Sequence, residues 1–178
     1  MASTDSASIN LADAVDQQIL NSSRQQFREQ QLSPNGQLYD KVVFVAATLR
    51  YDVSRNPTIL LLKRATHEVY FPNYALIREV KEETGLDVTG ITAELKPMIY
   101  KTEKTVANDA GQEVLVSKSS IQLNYVVTVL DGDVTLSADE HSESAWATNK
   151  ESVGLNITSA MKEVIWEAFA WAAGQTIV

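Results

Sequence analysis

Two periodicities divide the chain. From Val42 to Leu49, and again from Ile59 to Lys63, β-branched and aliphatic residues run almost without polar interruption, as in strands covered on both faces. Arg55-Asn56-Pro57 separates the runs as a turn, so they predict a hairpin with Val42–Leu49 as a central strand. Ile91–Tyr100 and Ile121–Leu130 are the next predicted strands. In the second, Leu123, Tyr125, Val127 and Val129 alternate onto one face. Asn108-Asp109-Ala110-Gly111 marks a loop between them, and loops between strands commonly carry substrate selectivity. Asp131-Gly132-Asp133 turns the chain into Val134-Thr135-Leu136.

The period then changes. Ile157, Met161, Val164, Ile165, Ala168, Phe169 and Ala172 recur at helical spacing, which predicts a helix over Ile157–Ala173. Thr158 or Ser159 can cap its start and Gly174 can end it. Trp166 and Trp171 fall towards its flanks, where aromatic residues pack on a sheet or offer a homodimer contact. At the other end of the chain, residues 1–10 are small and polar and are expected to be disordered. A weak helical stripe of Leu11, Val15, Ile19, Leu20 and Phe27 follows, interrupted at Asn21-Ser22-Ser23, and reads as a packing arm. Ser33-Pro34-Asn35-Gly36 is a turn and the expected boundary. The division is a flexible or partly helical segment 1–37, a domain 38–174 and a tail 175–178.

Composition narrows the functional classes. Of the 178 residues 44% are hydrophobic and 21% charged, a globular balance, and no run of 18 apolar residues occurs. With no basic-then-apolar leader either, no membrane partner and an intracellular, cytoplasmic location are expected. A net charge of −8 argues against a nonspecific nucleic-acid binder, which needs a basic stripe. The absence of cysteine excludes disulfides, thiolate metal sites and cysteine nucleophiles. H-E-x-x-H, G-x-S-x-G, the P-loop and G-x-G-x-x-G are all missing, and His67 beside Glu68 lacks a spaced metal-binding partner.

The chemistry gathers in Arg78-Glu79-Val80-Lys81-Glu82-Glu83-Thr84-Gly85-Leu86. On a helix Glu79, Glu82 and Glu83 stand three and four residues apart and share a face. Such like-charge pairs cost a few tenths of a kcal/mol each unless a cation sits among them. Three hard oxygen donors suit Mg²⁺ or Mn²⁺, and the Arg78 fork can hold one carboxylate. Gly85 can end the helix in the left-handed conformation. The plain alternative is a solvated charged face.

The whole nonapeptide resembles the second half of the Nudix hydrolase signature, G-x5-E-x7-R-E-U-x-E-E-x-G-U with U bulky and aliphatic, and it fills every fixed position of that half. Downstream, Glu140-His141-Ser142-Glu143-Ser144-Ala145-Trp146 is similar to the E-H-x-E-x-x-W segment frequent in the family just before the strand that leads to the last helix. The resemblance implies an α/β fold, the Nudix-like α/β/α sandwich with a mixed central sheet. It implies Mg²⁺ or Mn²⁺ held by Glu79, Glu82 and Glu83, and attack of water on the pyrophosphate of a nucleoside diphosphate linked to another group, or of a nucleoside triphosphate. Glu82, Glu83 or Glu140 would take the proton, Glu140 or Glu143 would approach the metal, and Arg78 would fix a carboxylate. Trp146 would be a core or pocket-wall residue, and Lys63 and Arg64 would meet phosphate.

The first half of the signature departs from the pattern. Counted back without a gap, its glycine falls on Arg64 and its glutamate on Tyr70. A gap near Asn73–Ala75 would remove the turn, the loop and that glutamate. The departure implies turnover lower by orders of magnitude, since misplacement by about 1 Å can cost roughly 10²-fold. Its alternative is a degenerate Nudix-fold binding module that recognises a nucleotide or a protein without turnover.

Overall fold

The computed structural model describes residues 9–13, 15, 24–30, 33, 35–65, 70–71, 77–108 and 111–175. Residues 1–8, Ile19, Leu20, His67 and the Asn73–Ala75 gap, on which several expectations fall, lie outside them. The strands are β1 (Asn10–Leu11), β2 (Lys41–Tyr51), β3 (Pro57–Arg64), β4 (Tyr70–Phe71), β5 (Val88–Ala107), β6 (Glu113–Val129) and β7 (His141–Ala147). The helices are α1 (Arg24–Gln30), α2 (Ile77–Thr84), α3 (Asn149–Ser152) and α4 (Ser159–Gly174).

The strands form one mixed sheet in the order β1-β5-β6-β2-β3-β4, with β7 also paired to β3. β1 with β5 and β2 with β6 run parallel, and the other pairs are antiparallel. The two apolar runs do form a hairpin. Its turn is held by Asp52, whose carboxylate accepts from the Ser54 and Asn56 amides at 2.8 Å each. β2 and β3 pair only over Leu49–Tyr51 and Pro57–Ile59, and beyond that β3 takes β7 as its long partner.

Alternation explains the layers. Val42, Phe44 and Ala46 of β2 join Leu60 and Leu62 of β3 in a core that includes Val80 and Leu86 around α2. Val45, Ala47 and Leu49 face the other way, with Ile59 and Leu61, onto Met161, Val164, Ile165, Ala168 and Phe169 of α4. A sheet covered on both faces needs the unbroken apolar runs seen in the sequence. Each large aliphatic or aromatic side chain fully buried in this way contributes about 1.5–3 kcal/mol. α4 starts on Thr158, whose hydroxyl accepts from the Met161 amide at 3.3 Å.

Three expectations change. Leu11 is in a strand paired to Ile91, not in a helix, because the β5 edge supplies backbone partners that a short weak stripe cannot replace. The segment beginning Glu140-His141 does not precede the strand: from His141 on it is β7. β5 and β6 also run well past their apolar stretches, pairing out to Ala107 and Glu113 as a two-stranded ribbon. Among the described residues no helix is long and apolar enough to cross a membrane.

Candidate active site

The eight residues of α2 are too few to be stable alone, so tertiary contacts must hold the helix. Val80 is completely buried in the core. Beyond the last turn Gly85 has φ +73°, and its amide donates to the Lys81 carbonyl at 2.9 Å. The Lys81 ammonium closes the same end, donating to the Gly85 carbonyl at 2.9 Å and to Asp87 at 2.8 Å.

The last helical carbonyls, which no intrahelical amide can reach, are taken by the loop between β6 and β7. The Thr135 amide donates to the Thr84 carbonyl at 2.8 Å, and the Ser137 amide to the Glu83 carbonyl at 3.2 Å. The Ser137 carbonyl then accepts from the Glu140 and His141 amides at 3.0 and 2.9 Å. Finally the Ala65 amide, just past β3, donates to the Glu140 carbonyl at 2.9 Å. This ladder ties the end of α2, the acidic loop and the end of β3 into one unit.

Its consequence is a convergence of side chains. Ligand atoms of Glu83, Glu140 and His141 all lie within 4.8 Å of one another. Glu83 Oε2 and His141 Nε2 are 3.2 Å apart, and both side chains are at least nine-tenths buried. Yet Glu83 Oε2 and both ring nitrogens of His141 lack an aligned hydrogen bond among the described residues. Buried polar atoms without partners are rare, and an ion is one of their few explanations. The donor set, two carboxylates and an imidazole, fits a divalent cation.

The other candidate residues are placed as follows. Arg78 is exposed and reaches Glu82 at 3.2 Å and Glu79 at 3.6 Å. Glu79 is largely buried and Glu82 half-exposed, and neither joins the Glu83–Glu140–His141 group. Lys63 is paired across strands with Glu143 at 3.0 Å, so this glutamate is engaged away from the group. Arg64 stands opposite His141 in the β3–β7 register, beside an irregularity between Lys63 and Arg64. Trp146 packs against the α2-side core with the Arg50 guanidinium 3.9 Å above its ring. The residue that sequence reasoning passed over is His141. Its signal was there in the Glu140-His141 pair, but only the ladder turns the imidazole onto α2.

A cleft of about 440 Å³ opens where the ribbon leaves the sheet, lined in part by Tyr39, Asp40, Lys101, Ser117 and Ser119. The Asp40 carboxylate accepts from the Ser119 amide at 2.7 Å and hydroxyl at 3.1 Å, which holds its pKa below the usual aspartate value. Because β2 and β3 are antiparallel, the start of β2 beside this cleft and the end of β3 beside Glu140 lie at the same end of the sheet.

No protein-family model matches the chain. No curated protein matches it either. Solved structures do. RenU, a Nudix hydrolase from M. smegmatis, aligns with 83% of this chain and 96% of its own at 12% identity and a TM-score of 0.54. A C. elegans Ap4A hydrolase, solved as a binary complex, covers 75% of this chain and 98% of its own at 17% identity and a TM-score of 0.52. The NUDIX domain of Shewanella oneidensis NrtR, complexed with ADP ribose, covers 84% and 99% at 10% identity and a TM-score of 0.52. The shared architecture is the mixed sheet between helices.

Proposed function

We propose, from the Nudix fold of this chain, that it is a metal-dependent pyrophosphohydrolase acting on a nucleoside diphosphate linked to another group or on a nucleoside triphosphate. The observation that carries the reading is the convergence of Glu83, Glu140 and His141, with buried polar atoms that lack an aligned hydrogen bond among the described residues. Similar folds named for Ap4A hydrolysis and for a complex with ADP ribose support the substrate class. Glu83 holds a divalent ion, Mg²⁺ or Mn²⁺, with Glu79 and Glu82 on the same helix completing the acidic face. When bound, the ion supplies neutralisation of the pyrophosphate charge and acidification of the attacking water.

The protein's own residues do the rest. Glu140, exposed and carried by the loop, takes the proton from the water that attacks phosphorus; Glu82 and Glu83 are the other candidate acceptors. Arg78 keeps Glu79 and Glu82 oriented and does not react. Arg64, at the end of β3 by the site, offers phosphate a fixed fork, and Lys63 beside it can meet phosphate by exchanging its Glu143 partner for it. The cleft at Tyr39 and Ser119 receives the group beyond the diphosphate. Intracellular location and a homodimer through the exposed Trp166 belong to the same proposal.

The deciding experiment is hydrolysis of a panel of nucleoside diphosphate derivatives and triphosphates with and without Mg²⁺ or Mn²⁺. Phosphate or nucleotide release that requires the ion and is lost in Glu83→Gln is expected. Tight nucleotide binding without release would instead favour a binding module, the reading that the departure upstream of Arg78 supports.

A further inference from the structure

We infer that His141 is itself a metal ligand, and that the Glu83–Glu140–His141 site is built for a first-row transition ion and not for Mg²⁺. The inference rests on the metal site proposed above and assigns its chemistry. His141 is 5% exposed, at the start of β7, and its backbone amide is tied to Ser137. Neither ring nitrogen has an aligned hydrogen bond among the described residues, and Nε2 lies at ion-pair distance, 3.2 Å, from Glu83 Oε2, which is buried and likewise lacks an aligned hydrogen bond. Adjacent ligand atoms roughly 2.1 Å from a common octahedral ion stand about 3 Å apart, so the 3.2 Å spacing, which a direct ion pair also has, is compatible with neighbouring ligands. The Glu140 carboxylate is the exposed third member, on the open side of the group.

An imidazole in that place changes the preference. Mg²⁺ takes oxygen almost exclusively and keeps several waters, whereas imidazole nitrogen favours the transition ions. Burial sharpens this, because a nitrogen removed from water gains most from an ion that binds it directly. The plain alternative is that His141 is a counter-charge for Glu83, with no ion between them. That alternative makes no nitrogen–metal bond, which gives a clean test.

Mn²⁺ is the probe, added to the full chain and read by electron spin-echo envelope modulation and by calorimetry. The wild type is expected to show one directly coordinated imidazole nitrogen. His141→Asn is expected to lose that signal and about 10-fold or more in Mn²⁺ affinity, with Mg²⁺ affinity changed less than about threefold. Bound Mn²⁺ without nitrogen coupling, or no bound Mn²⁺, overturns the inference. So does an equal loss of both ions in a folded His141→Asn. Should that variant not fold, the wild-type spectrum decides alone. The outcome is separable from the hydrolase reading. Nitrogen-bound Mn²⁺ without turnover leaves this inference standing and removes the hydrolase, while Mg²⁺-supported turnover with nitrogen-free Mn²⁺ does the reverse.

Discussion

Glu83 and Glu140 are neighbours in space with opposite exposures, and their exposures divide their work. A buried carboxylate is costly without a counter-charge, so Glu83 is suited to hold a cation and Glu140, open to solvent, to exchange a proton. Glu140→Gln is therefore expected to lower kcat by about 10²–10⁴-fold and, because the carboxylate is also the exposed member of the ion-holding group, to weaken ion binding with it, measured by steady-state kinetics and calorimetry. Glu82 is half-exposed and paired with Arg78, so Glu82→Lys tests the helix face alone; a fall in turnover is expected, and unchanged turnover would remove Glu82 from the mechanism.

At the scale of elements, the joint between α2 and the β6–β7 loop matters most. Gly85 has φ +73°, and a Cβ there would meet Thr135 Cβ at 3.2 Å, on the residue whose amide clamps the helix end. Gly85→Ala is expected to cost about 1–2 kcal/mol for the left-handed conformation, read as a lower urea midpoint. Because Thr135 must shift, ion affinity should fall with it. Capping residues give an independent check on the other layer. Thr158→Ala removes the α4 cap and is expected to cost about 0.5–2 kcal/mol without touching ion binding.

The pH dependence of stability belongs to the whole molecule, because three structural carboxylates act together. Hydrogen bonds from Ser119 lower the pKa of Asp40, those from Asn56 and Ser54 lower that of Asp52, and those from Thr148 lower that of Glu151. A folded-state pKa below the unfolded one contributes stability that is present above the unfolded value and lost as pH falls through the folded value. With ordinary values of 3.8 for aspartate and 4.5 for glutamate, melting temperature should fall as pH drops below that range. The penalty of Asp52→Ala should be present at neutral pH and fade in acid, which a series of thermal melts would show. The ribbon is the other feature of this scale. Its distal residues are mostly exposed, so replacing Lys104–Val116 by a tight turn should leave the melting temperature and ion affinity of the sheet unchanged.

What the sequence determined by itself was local. The apolar runs of β2 and β3 and the helical stripe of α4 follow from period alone, because burial on one face or two leaves a repeat that neighbours in sequence display. The nonapeptide Arg78–Leu86 likewise carried its helix, its glycine stop and its carboxylates, all set within a few residues. Tertiary structure decided the partners. Leu11 became a strand because the β5 edge was open to it, and β5 and β6 extended beyond their apolar stretches because each supplied the other's backbone bonds. Above all, Glu83 meets His141 and Glu140 because loop amides satisfy the carbonyls at the end of α2. Those carbonyls are the same in every sequence, so no pattern of side chains could announce which loop would come to fill them.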